Sequence, residues 1–107
     1  MELERYTYVL LRRPPDAPDY SDERLNEIQE QHLAHLGELD KRGVLLLSGP
    51  FGDQPDESLR GMCVLTIGIE ETREEMARDP AVLAGRLVAD VMSWWTFPDS
   101  LPASGSS

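Results

Sequence analysis

The segment from Ser21 to Arg42 constrains the fold most, because it reads as one long amphipathic helix with a titratable group on its apolar axis. Leu25, Ile28, Leu36 and Leu39 fall on one face. At roughly 100° per residue their mean direction lands on His32, where leucine is the ordinary choice. His35 lies about 60° off that axis, at the edge between the apolar stripe and the charged face. Ser21 is placed to cap the helix, Asp22 and Glu23 suit its electropositive first turn, Lys41 and Arg42 suit its last, and Gly43 stops it.

Around this helix the chain alternates short β-prone runs with turn signals. Tyr6 to Leu11 is a strand stopped at Arg12-Arg13-Pro14-Pro15, and Val44 to Ser48 is a wholly apolar strand closed by Gly49-Pro50. After a polar loop from Gly52 to Arg60, Gly61 to Ile69 forms another. Thr72 followed by Glu75 matches a capping box and predicts a helix reaching Arg78. Asp79 is a plausible N-cap and Pro80 a first helical residue of a short helix ending near Gly85. Leu87 to Phe97 is the last strand, ended by Pro98.

This order predicts an α+β class, a ferredoxin-like split βαβ with helices on one face of a four-stranded antiparallel sheet. Strands this apolar would leave the other face wet, and pairing two sheets face to face in a homodimer is the simplest cover. One domain, residues 1–98, is expected, followed by a Ser-, Pro- and Gly-containing disordered tail, 99–107.

A formal net charge of −10 with scattered Lys and Arg supplies no basic stripe, so neither nucleic acid nor an acidic membrane surface is an expected partner. A small molecule or another protein remains. Residues 1–6 lack the apolar block of a signal peptide, so the expected location is cytoplasmic. Cys63, the single cysteine, permits no intrachain disulfide and reads as buried packing in a strand.

The stretch from His32 to Leu36, then Gly43 to Pro50, then Asp79-Pro80 with Ala84-Gly85, resembles the YciI-like (YCII-related) family in order and spacing, over nearly the whole domain. That resemblance implies the dimeric α+β barrel, in which two ferredoxin-like protomers pack sheet against sheet. It also implies a catalytic pair of the motif histidine and the Asp-Pro aspartate, here His32 and Asp79. One relative in the family is a dehydrochlorinase acting on a chlorinated hydroxyquinol. Many members carry an arginine one turn before the histidine; Gln29 stands there in this chain, so the motif supplies no cation for an anionic substrate.

His32 has two readings: a core histidine bonded to a backbone carbonyl, or a half-buried imidazole serving as general acid or base. Asp79 can cap a helix through one oxygen and orient an imidazole through the other. His35 is a rim residue, and with His32 it makes a His-x-x-His pair lacking a third metal ligand in sequence reach. Ser48 and Pro50 stand at the mouth of the second strand, Tyr8 can offer a hydroxyl, and Trp94 or Trp95 can wall a pocket, which completes the candidate substrate contacts. The chain has no glycine-rich phosphate loop and no nucleophile elbow. The polar pair that the resemblance places in an otherwise apolar cleft implies a lyase or isomerase without metal or cofactor, acting on a small cyclic or aromatic metabolite. The competing expectation is a non-catalytic dimeric binding module of the same fold.

Overall fold

A computed structural model describes residues 2–101. In chain order the elements are β1 (Glu4–Arg12), α1 (Asp22–Lys41), β2 (Leu45–Pro50), β3 (Leu59–Leu65), α2 (Ile69–Ala77), α3 (Pro80–Leu83) and β4 (Val88–Thr96). The strands form one four-stranded sheet in the order β2-β3-β1-β4, with every neighbouring pair antiparallel. This is the split βαβ arrangement expected from the pattern of elements. The expected tail falls mostly outside the described residues.

Strand alternation sorts the sheet's two faces. Val9 and Leu11 of β1 and Cys63 and Leu65 of β3 join Ile28, Leu36 and Leu39 of α1 and Met76 of α2 in one core. Tyr6, Tyr8 and Leu10 point the other way, beside Met92 and Trp94 of β4. On that face Tyr8 and Trp94 pack tilted, with ring centroids 6.2 Å apart. Trp95 points to the opposite side from Trp94, 53% exposed, with Arg5 stacked 5.8 Å from its ring.

The long helix forms as its capping residues dictate. Ser21 accepts from the Arg24 N–H, and beyond Arg42 the chain turns through Gly43 at φ 74°, a left-handed conformation that glycine adopts without cost. Asp79 caps α3 by accepting from the Ala81 N–H, with Pro80 as the first helical residue.

Several boundaries differ from the sequence expectation, among them those of α2, β2 and β3. Helix α2 begins at Ile69, with Gly68 as N-cap, so Thr72 lies inside the first full turn and its N–H donates to the Gly68 carbonyl. The acids Glu70 and Glu71 in that turn do the dipole work a capping side chain would do. Strand β2 runs through Gly49 to Pro50, which is possible because β2 is an edge strand and its proline need not donate inward. Strand β3 starts at Leu59 and stops at Leu65, since the residues after it turn into α2.

Candidate active site

His32 and Asp79 are 47 positions apart in sequence and are brought together where α1 crosses the start of α3. The imidazole Nδ1 lies 2.7 Å from the Asp79 Oδ2, and both groups are buried, with His32 7% and Asp79 0% exposed. A carboxylate only accepts, so Nδ1 carries the proton and donates. The other carboxylate oxygen, Oδ1, accepts from the Ala81 N–H at 3.1 Å. One aspartate therefore caps α3 and fixes the imidazole ring, as its two oxygens permit.

His32 also lines a cavity of about 650 Å³ between α1 and the core face of the sheet. Its walls come from Ile28, Leu33 and Leu36 of α1, Leu11 of β1, and Ala81 and Leu87 around α3. The floor runs across Gly49 and Gly61, where β2 and β3 approach so closely that a Cβ on Gly61 would meet the Gly49 carbonyl oxygen at 2.8 Å. With Nδ1 engaged by Asp79, Nε2 is the ring atom left to exchange a proton with a molecule held in this cavity.

Ser48 and Pro50 line the same cavity from β2. His35 does not: its Nε2 lies 2.9 Å from the Glu75 carbonyl oxygen, which ties α1 to α2. Tyr8 and Trp94 stand on the opposite face of the sheet from His32 and are not among the cavity-lining residues. Cys63 is fully buried in the core, where burial, and then the charge of Asp79, pushes its thiol up to about 12. A thiol of that kind stays protonated and unreactive at neutral pH.

Sequence reasoning passed over three cavity residues: Arg13 after β1, Arg60 in β3 and Arg86 before β4. Arg13 shares strand parity with Val9 and Leu11, which would have placed it on the core side. The two prolines after it drew attention to where the strand ends rather than to where its last side chains point.

No family model matches the chain, and no curated protein matches it. Among solved structures it is similar to the 5-chloro-2-hydroxyhydroquinone dehydrochlorinase from Burkholderia phenoliruptrix AC1100, in complex with 2,5-dihydroxybenzoquinone. The likeness has a TM-score of 0.61 at 19% sequence identity and covers 83% of this chain and 92% of that one. It shows the α+β fold. Among the described residues no helix is long and apolar enough to cross a membrane.

Proposed function

We propose that this chain is a member of the YciI-like family and a small-molecule enzyme of the lyase or isomerase kind, working in the cytoplasm without metal or cofactor. His32 acts as general acid and base through Nε2. Asp79 is its positioning residue, holding the tautomer and the ring orientation through Nδ1. The observation that carries the reading is the 2.7 Å contact between a buried imidazole and a buried carboxylate at the wall of a cavity. The structurally similar dehydrochlorinase, seen with a dihydroxybenzoquinone, supports a cyclic or aromatic substrate. The cavity volume of about 650 Å³ suits a molecule of that size.

Proton transfer at carbon leaves a mark that binding does not. Candidate substrates, beginning with 5-chloro-2-hydroxyhydroquinone, are incubated with the protein in deuterated water, and both turnover and deuterium incorporation are followed. His32→Asn should lower turnover by about 100- to 10,000-fold with the fold intact. Undiminished turnover in that variant overturns the reading, and a protein that binds cyclic ligands without converting any belongs to the competing class of non-catalytic modules.

The working form is a two-fold homodimer joined through the sheet face that carries Tyr8, Met92 and Trp94. Met92 is 39% exposed in the single protomer, and no helix of this chain packs on its side of the sheet among the described residues. At about 25 cal/mol per Å² of apolar surface, covering such a face favours association strongly. Sedimentation equilibrium at low micromolar concentration should return twice the protomer mass, and a folded monomer would refute the assembly.

A further inference from the structure

The chain holds twenty acidic residues against ten basic ones, yet the cavity beside His32 is lined by three arginines and, among the described residues, by no carboxylate. Arg13, Arg60 and Arg86 arrive there from three separate places in sequence: the end of β1, the start of β3 and the approach to β4. Among the described residues none of them is in an ion pair, although Arg12, Arg24, Arg42, Arg73 and Arg78 each are. Among the described residues the side chains of Arg60 and Arg86 hydrogen-bond to the backbone carbonyls of Glu57 and Pro18.

Arg13 is the most exacting of the three. Its Nε is fully buried and has no hydrogen-bond partner among the described residues. A buried, unpartnered guanidinium N–H carries the desolvation penalty of a hydrogen bond left unmade. Arg13, Arg60 and Arg86 line one cavity, and burial, then the charges of Arg86 and Arg60, pull the Arg13 guanidinium below its ordinary pKa. An anion placed there relieves their mutual repulsion.

We infer that the molecule taken into this cavity carries a carboxylate, held by the guanidinium of Arg13 with Arg60 and Arg86 beside it, while its apolar ring reaches toward His32. The planar fork of a guanidinium's two terminal nitrogens matches a carboxylate edge-on. Phosphate sites draw instead on backbone N–H groups at helix starts or glycine-rich loops, and the Ala81 N–H at the start of α3 is already taken by Asp79. The strand ends thus supply the positive charge that Gln29, on α1, does not. This assignment rests on reading the cavity as the substrate site and adds the substrate's charge to it.

Benzoate and its neutral isostere benzamide are the probes, titrated into the intact protein and followed by the arginine Nε–H signals and by calorimetry. Benzoate should bind saturably, about tenfold or more tightly than benzamide. Arg13→Gln should remove that preference, the loss falling on benzoate far more than on benzamide. If Arg13→Gln does not fold, as judged by circular dichroism, the double change Arg60→Gln with Arg86→Gln serves, and the preference should then fall by about tenfold. Equal binding of the two probes, no saturable benzoate binding, or an unchanged preference in a folded variant overturns the assignment. Benzoate should still bind to His32→Asn. If it does so through Arg13 while that variant turns over normally, only the acid–base reading fails. If turnover needs His32 but benzamide matches benzoate, only the carboxylate assignment fails.

Discussion

Helix α1 meets the α2–α3 segment at two points one turn apart, and each joins a histidine to an acidic residue. At the first, the His32 Nδ1 donates to the side chain of Asp79; at the second, the His35 Nε2 donates to the backbone carbonyl of Glu75. The two acids are about equally hidden, Asp79 0% and Glu75 5% exposed. Their partners differ. The Glu75 carboxylate is clamped by Arg42 at 2.7 Å and Arg78 at 2.9 Å, whereas the Asp79 carboxylate has an imidazole and one backbone N–H. A carboxylate neutralised by two guanidiniums has no proton to move near neutral pH, because neither partner gives one up. A carboxylate set against an imidazole belongs to a pair that can take up or release one. Burial alone therefore does not separate structure from chemistry here; the identity of the counter-group does.

The sharpest way to break the comparison is at Asp79. Asp79→Ala removes both the α3 cap, at about 1 kcal/mol, and the acceptor for a buried imidazole N–H, at about 1–3 kcal/mol. The variant should lose about 3 kcal/mol of stability in urea titration, together with turnover. Asp79→Asn keeps an N-cap of comparable strength, so most of the stability should return. Turnover should stay depressed by about 100-fold, since an amide no longer enforces the Nδ1–H tautomer. Full recovery of turnover in Asp79→Asn would mean that the aspartate serves only as a cap.

Much of this arrangement was legible in the sequence because it depends on local rules. The α1 stripe with His32 on its axis, the cap at Ser21, the Asp79-Pro80 start of α3 and the order of strands and helices all follow from periodicity and capping chemistry. What was not legible depends on contacts between distant segments. Thr72 and Glu75 have the spacing of a capping box, but Gly68 starts α2 one turn earlier and frees Glu75 to meet Arg42, 33 positions away. Tyr8 has the chemistry of a ligand contact, yet strand parity sends it to the face away from His32. Arg13, Arg60 and Arg86 look like scattered surface charge in sequence, and only the antiparallel pairing of β1 with β3 and β4 gathers them at one cavity.

The smaller test bears on the second contact and turns on pH. Burial by itself would raise the Glu75 carboxyl, but the hydrogen bonds and charges of Arg42 and Arg78 more than offset it, leaving it below its ordinary value of 4.5. A carboxyl depressed in the folded state adds stability that is fully present above its unfolded pKa and is lost as pH falls through the folded one. Glu75→Gln, which keeps the shape and removes the charge, should therefore cost about 1 kcal/mol at pH 7, the clamp being half in water on its arginine side. That gap between the variant and the parent should shrink as pH drops below about 4.5, because the parent loses the same interaction by protonation. Turnover at neutral pH should be unchanged, since Glu75 is not among the cavity-lining residues and its tie to His35 runs through the backbone carbonyl that glutamine retains. Denaturant titrations of both proteins at several pH values, with an activity assay at neutral pH, would show it. A gap that holds constant into acid would remove the charge clamp as its cause, and a large loss of turnover would mean that the two contacts act as one unit.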